Sequence, residues 1–309
     1  MPDRQPSWTL VIHGGAGVLE RSRMTPELDA AHRGGLDSAL QAGAAVLSGG
    51  GSALDAVEAS ARSLENNELF NAGRGAVLTF DGTTELDAAI MDGRERDAGA
   101  VTGVSATRNP ISLARAVMER SPHVFLGGQG ADRFAREVGI EQAGRDYFDL
   151  PQRRRQLEEL KAKGADWFDI DMKFGTIGAV ARDVNGHVAA ATSTGGITGK
   201  RWGRIGDSPV IGSGTWADDR TCAVSATGSG EYFIRAAVAH EIAARMRYLG
   251  ETAQAAADAV IADVGALGGN GGVIVVTPAG NPVFAFSSEG MYRGTATPDG
   301  RTVAIYGDE

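Results

Sequence analysis

Beyond Gly175 the apolar positions fall on alternate residues. Ile177, Ala179 and Ala181 alternate with Gly178, Val180 and Arg182, which is the period of a strand. Asn185-Gly186 follows and predicts a type I′ turn, in which both central residues take positive φ. Residues 187–192 then read as the return strand of a hairpin. Thr176, preceded by Gly175, stands at the head of its first strand.

The same reading runs along the rest of the chain. Residues 8–12 predict a buried strand that runs into His13-Gly14-Gly15-Ala16-Gly17. Residues 27–47 predict a helix closed by Gly49-Gly50-Gly51. Ser52 caps a second helix with Leu54, Val57, Ala61 and Leu64 on one face. Residues 76–80 and 84–91 read as a hairpin around Asp81-Gly82, with Asp87 as an outward carboxylate. Asn109-Pro110 opens a helix to Arg120, asparagine at the N-cap and proline at N1. A strand at 123–126 and a helix at 131–138 follow. In the second half, strands are predicted at 222–227, 273–276, 283–286 and 302–306, and helices at 231–249 and 252–264. Hairpins mixed with helices argue an α+β fold with largely antiparallel pairing. No internal repeat is visible.

Composition narrows the classes. The 309 residues are 42% hydrophobic and 22% charged, a balance suited to one large domain or two small ones. The formal charge of −9 and the absence of a basic stripe argue against nucleic acid. Arg153-Arg154-Arg155 precedes Glu158 and Glu159 and reads as a solvated helix face. A single cysteine, Cys222, excludes an intramolecular disulfide or a Cys-x-x-Cys zinc site. It suits a cytoplasmic protein. No apolar run is long enough for a signal peptide or a membrane span. Glycine, at 44 residues, is about twice its common share of ~7% and clusters beside strands. Between residues 150 and 175 charge rises and glycine thins, which reads as a partly helical, exposed linker and the only internal boundary.

A threonine at position 176 has a chemical use if the Gly175–Thr176 bond is cut. Its hydroxyl becomes the nucleophile and its own α-amine, with an ordinary pKa of about 7.7–8.0, the neighbouring base. β-Branching restricts χ1 and holds the hydroxyl in place. Gly175 tolerates a strained backbone where the bond must break.

The motifs Gly175-Thr176-Ile177-Gly178-Ala179-Val180-Ala181-Arg182-Asp183, Ser193-Thr194-Gly195-Gly196, Gly203-Arg204-Ile205-Gly206-Asp207-Ser208-Pro209 and Ala226-Thr227-Gly228-Ser229-Gly230-Glu231 lie in order. With His13-Gly14-Gly15-Ala16-Gly17 before them and Glu289-Gly290-Met291-Tyr292-Arg293 after, they span nearly the whole chain. The chain resembles the plant-type L-asparaginase / isoaspartyl peptidase family of N-terminal-nucleophile hydrolases. The resemblance implies a four-layer αββα sandwich. It implies one domain, 1–309, self-cleaved into an α fragment, 1–175, and a β fragment, 176–309, and a homodimer of such αβ units.

It also implies roles. Thr176 is the nucleophile and Thr194 orients it. Arg204 offers a planar fork to a substrate α-carboxylate, and Asp207 accepts from the α-ammonium. Thr227 and the Gly228 N–H form an oxyanion hole, Gly230 lines the substrate pocket, and Asn71 reaches the site. Main-chain carbonyls of Leu64, Glu65, Asn67, Phe70, Ala72 and Arg74 would hold a structural sodium ion; no catalytic cofactor is implied. The His13 run is a structural loop near the site, and His13 a buried, hydrogen-bonded residue. The activity implied is hydrolysis of asparagine and of β-linked isoaspartyl dipeptides.

Other readings are less well supported. The His-Gly-Gly run also occurs in α/β-hydrolases, but their Gly-x-Ser-x-Gly elbow is missing. A glycosylasparaginase would carry aspartate before the threonine and be secreted, and a taspase-like endopeptidase is more remote. A P-loop at Gly199-Lys200 fails, because Thr194 stands where glycine is required and Arg201 follows the lysine. Ser193 has no base beside it in sequence. A dead homologue would have lost Thr176, Thr194, Arg204, Asp207 or Thr227, and all five are present. Residues 197–200 are expected to shape substrate preference.

Overall fold

Strand pairing sets Thr176 at the head of a central strand. A computed structural model describes residues 7–17, 21, 24–162 and 175–309. Its strands are β1 (Thr9–Gly17), β2 (Leu86–Asp92), β3 (Ala98–Val104), β4 (Phe125–Gly127), β5 (Ile177–Arg182) and β6 (Val188–Thr194). They continue with β7 (Thr215–Asp218), β8 (Cys222–Gly228), β9 (Gly271–Val276), β10 (Pro282–Phe286), β11 (Gly290–Thr297) and β12 (Gly300–Tyr306). Eight form one sheet in the order β12-β11-β1-β5-β6-β2-β3-β4, and four form another in the order β10-β9-β8-β7. All pairings are antiparallel except β3 with β4.

The longer helices are α1 (Pro26–Ser48), α2 (Ala53–Glu65), α3 (Pro110–Arg120), α4 (Gly128–Glu137) and α6 (Pro151–Ala162), with the short α5 (Arg145–Phe148) between the last two. After the second sheet begins come α7 (Gly230–Arg235), α8 (Val238–Leu249) and α9 (Ala253–Ala266). Thr25, Ser52 and Thr252 cap α1, α2 and α9 through their hydroxyls, each satisfying a free N–H of the first turn.

Burial explains the strand composition. Leu10, Ile12, Ile90, Ile177 and Ala179 pack with Leu36, Leu40, Val57 and Leu64 of α1 and α2. Val224, Ala226, Val273 and Val275 pack with Ile242, Val260 and Val264 of α8 and α9. The alternate residues Val11, Val180, Val188, Ala223, Ile274 and Val276 form a third cluster drawn from both sheets. Central strands are therefore buried on both faces, as β5 and β6 nearly are throughout.

That double burial corrects the reading of Asp87. It is not outward; it is 1% exposed, accepts from Thr102 Oγ1 at 2.7 Å and Gly103 N at 2.8 Å, and faces Lys200 Nζ at 3.5 Å. A period of two locates an outward face only where one side of the sheet meets water.

Other expectations change too. Arg182 pairs with Val188, so residues 183–187 form a five-residue loop in place of a type I′ turn. Asp183 Oδ1 accepts from the N–H groups of Asn185 and His187, and of the Asn-Gly pair Gly186 alone takes positive φ, 87°. Residues 76–80 are not a strand. Gly199 donates to the Leu78 carbonyl and Phe80 to that of Lys200, while β2 forms its hairpin with β3. The His13-Gly14-Gly15-Ala16-Gly17 run continues β1 with a register shift between His13 and Gly15, and is not a loop.

The helix expected over 231–249 breaks at Ala237, whose φ of 47° is left-handed. Ala239 and His240 instead donate to the carbonyls of Ser213 and Gly212. Asn109 occupies the N-cap of α3 without a capping side-chain bond. The Glu65 carboxylate supplies it, accepting from Ile111 N at 3.0 Å and holding Asn109 Nδ2 at 3.0 Å. Within the expected linker, residues 151–162 form α6, which buries Leu157 and Arg153; residues 163–174 lie outside those described. Strands β3, β7 and β11 had no expectation. Among the described residues no helix is long and apolar enough to cross a membrane.

Candidate active site

The pairing of β5 with both β1 and β6 carries Thr176, one residue before β5, to the ends of its neighbours. Thr176 is 7% exposed. Its Oγ1 donates to Thr194 Oγ1 at 3.2 Å. The Thr194 hydroxyl also accepts from Gly196 N at 3.0 Å and donates to the Gly175 carbonyl at 3.1 Å. Asn71, in the loop after α2, donates its Nδ2 to the same Gly175 oxygen at 2.7 Å and to Gly196 O at 2.7 Å. Its Oδ1 accepts from Val77 N at 2.9 Å, which fixes the amide's orientation. The carbonyl before Thr176 thus receives two donors.

The β1 end lies against this junction. A Cβ on Gly15 would sit 3.1 Å from Gly175 Cα and 3.4 Å from Thr176 N, and Gly15 has φ +115°. Two residues earlier, His13 Nδ1 lies 3.0 Å from the Thr176 carbonyl oxygen. That oxygen can only accept, so Nδ1 carries the proton and Nε2 accepts from Ser225 Oγ at 2.9 Å. Complete burial lowers His13 to about 3, so it stays neutral and serves as a brace. Gly178 leaves room for it: a Cβ there would meet Ser225 Oγ at 2.0 Å and His13 Nε2 at 2.4 Å. Ala16 N donates to Thr227 Oγ1 at 3.3 Å, so the β1 end also ties fully buried Thr227 to the site. Gly228 packs tightly, its absent Cβ falling 2.4 Å from Asn270 O.

Arg204, Asp207 and Gly230 stand together in a second group. A Cβ on Gly230 would lie 2.9 Å from Arg204 Nη2 and 3.0 Å from Asp207 Oδ1. Arg204 does not pair with Asp207. It forms a two-pronged bond with Glu231, Nε to Oε1 and Nη2 to Oε2, both at 2.9 Å. Asp207 is 3% exposed, and its buried Oδ2 has no hydrogen-bond partner. Burial, opposed by the Arg204 charge, pushes Asp207 up to about 7. A buried carboxylate oxygen without a donor is an open place for a cationic N–H group.

Three features were not singled out from sequence: the His13 bond to Thr176, the fit of Gly15 over Gly175, and the Glu231 fork. The glycine excess pointed toward the second; the others join residues 163 and 27 positions apart and leave no local signal. Ser193 is fully buried and donates to Glu65 Oε1 at 2.7 Å, so it is a structural hydroxyl. Burial raises Glu65 to about 7.

In the 64–74 loop, Glu65 O and Phe70 O face glycines. A Cβ on Gly73 would meet the first at 2.5 Å and one on Gly75 the second at 2.1 Å. Phe70 O already accepts from Ala72 N at 2.9 Å; carbonyl oxygens are the ligand type that a hard cation takes. Among the described residues no group of three His, Cys, Asp or Glu side chains stands together for a metal.

Comparison with known proteins identifies the family. The family model described as asparaginase matches residues 6–305. An isoaspartyl peptidase of Salmonella typhimurium is 47% identical, the match covering 96% of this chain and 98% of that protein. The isoaspartyl peptidase of Escherichia coli is 46% identical over 96% and 95% of the two chains. A probable isoaspartyl peptidase/L-asparaginase of Arabidopsis thaliana is 41% identical over 97% and 99%. The chain belongs to the asparaginase family.

Proposed function

We propose that this protein cuts its own Gly175–Thr176 bond and then uses the freed Thr176 to hydrolyse L-asparagine and β-linked isoaspartyl dipeptides. The observation that carries this reading is the Gly175 carbonyl oxygen held by Asn71 Nδ2 and Thr194 Oγ1, beside a threonine hydroxyl. Two donors on one carbonyl stabilise the negative charge that gathers there when a nucleophile adds. The names of the relatives support the substrate class.

In maturation, Thr176 Oγ adds to the Gly175 carbonyl carbon and its proton passes to the departing amide nitrogen. The C–N bond breaks and an ester joins Gly175 to Thr176 Oγ. Water cleaves the ester, giving a Gly175 carboxylate and an N-terminal Thr176 whose α-amine is now a base. In turnover, Thr176 Oγ adds to the substrate's side-chain carbonyl. Its proton reaches the α-amine and then the leaving nitrogen, which departs as ammonia or as the amine of a dipeptide. Water hydrolyses the β-aspartyl ester. Thr194 orients the hydroxyl, and Thr227 with the Gly228 N–H receives the oxyanion. Arg204 takes the α-carboxylate, and Asp207, with its orphan oxygen, the α-ammonium.

Helices packed on the outer faces of two sheets that share a cluster support a four-layer αββα arrangement. The carbonyl-rich 64–74 loop is where the proposal places a sodium ion, on the carbonyls of Leu64, Glu65, Asn67, Phe70, Ala72 and Arg74. Its effect would be to stiffen the loop that carries Asn71.

The test is the intact mass after incubation at neutral pH, followed by ammonia release from asparagine and cleavage of β-Asp-Leu. Fragments ending at Gly175 and starting at Thr176 are expected, and Thr176→Ala stays whole and inactive. Cleavage at this bond in Thr176→Ala would overturn the scheme.

A further inference from the structure

An arginine guanidinium has two edges that can each grip a carboxylate: the side edge, Nε with Nη2, and the end edge, Nη1 with Nη2. Glu231 occupies the side edge of Arg204 with both its oxygens. The end edge is bordered by two residues without side chains. A Cβ on Gly206 would lie 2.9 Å from Nη1, and one on Gly230 2.9 Å from Nη2. The Gly230 position also borders Asp207 Oδ1, at 3.0 Å. The open edge and the orphaned carboxylate therefore share one small space. The Arg204 side chain is 17% exposed and that of Glu231 58%, so Glu231 reaches in from the solvent side, on the first turn of α7.

We infer that Glu231 is a positioning residue for substrate recognition: by holding the side edge of Arg204 it presents the end edge to the substrate's α-carboxylate, and so sets the selection for a free α-carboxylate. Without it the long arginine side chain would be free to turn, and the entropy of fixing it would weaken binding. Glu231 touches neither the nucleophile nor the oxyanion donors, so its effect falls on binding and not on the bond-breaking step. The inference rests on the substrate class proposed above.

The experiment compares wild type, Glu231→Gln and Glu231→Asp on asparagine and on its α-carboxamide, whose neutral amide cannot use the arginine fork. Self-cleavage is checked first by mass. In Glu231→Gln, KM for asparagine rises about tenfold, the scale of one charge-assisted contact, kcat stays within about twofold, and KM for the α-carboxamide does not change. Glu231→Asp restores part of the loss. An equal rise in KM for both substrates, or none for either, overturns the inference. Calorimetric binding of L-aspartate separates its failure from that of the hydrolase reading. A wild type that binds aspartate in a Glu231-dependent way without turning over asparagine removes the hydrolase reading and keeps this one. Aspartate binding that ignores Glu231 or is absent removes this one.

Discussion

Asn71 Nδ2 lies 2.7 Å from the carbonyl oxygen of Gly175, the residue 104 positions further along the chain whose bond to Thr176 is the proposed point of scission. Asn71→Asp keeps the shape of the side chain but replaces that donor with an acceptor, setting oxygen against oxygen. Self-cleavage of Asn71→Asp is expected to slow by about 10²–10³, the effect of losing one oxyanion donor. Timed gels of freshly purified protein give the rate, and a retained far-ultraviolet dichroism spectrum separates the effect from misfolding.

Gly15 predicts a steric outcome. An alanine would bring Cβ to 3.1 Å from Gly175 Cα while holding φ at +115°, a backbone region that costs a residue with a Cβ about 1–3 kcal/mol. Gly15→Ala should be both less stable and slower to self-cleave. Thermal melts and timed mass spectra report the two effects separately.

Thr194 both steadies the Thr176 hydroxyl and donates to Gly175 O. Thr194→Val keeps volume and β-branching but removes the hydroxyl. The expected loss in cleavage rate is about 10²-fold or more, while Thr194→Ser retains most of the rate. Equal rates in the valine and serine variants would remove the hydroxyl from the scheme.

Asp207 gives the pH dependence. Its carboxyl is raised from 3.8 to about 7 by burial, and only its ionised form accepts from a substrate ammonium. kcat/KM for asparagine should therefore fall as pH drops below about 7. Stability runs in the opposite sense. Between 3.8 and about 7 the folded state keeps a proton that the unfolded chain has released, so stability declines as pH rises through that window and stays lower above it. Asp207→Asn, which cannot ionise, should melt a few degrees higher than wild type at pH 8 and close to it below pH 4. The variant should not bind aspartate.

The hairpin of β5 and β6, the glycine close of α1 and the cap of α2, and the place of Thr176 at a strand head were legible because each is written in adjacent residues: a period of two, Ser52 before an apolar face, a glycine before a threonine. What failed has a common physical cause, which is information held elsewhere in the chain. Asp87 was misread because its strand is covered on both faces. Residues 76–80 look like a strand but give their hydrogen bonds to the loop at 199–200. The break at Ala237 falls among alanines, good helix formers, and is imposed by carbonyls at 212 and 213. At the site, motif order was enough to bring Arg204 and Asp207 into one reading. That the arginine's partner is Glu231 follows only from the packing of α7.

The order of the large sheet bears on what a cut chain can do. Strands β1 to β4 precede residue 175 and β5, β6, β11 and β12 follow it, yet along the sheet they interleave: two from the later segment, one from the earlier, two from the later, three from the earlier. The strands on either side of the proposed scission point, β1 and β6, lie before and after residue 175 and both clasp β5. Scission at 175–176 would thus end covalent continuity without freeing either piece, because each is the other's hydrogen-bonding partner. The two would remain woven together, neither holds the eight-stranded sheet alone, and maturation is expected to be a one-way event that no dilution can undo by parting them.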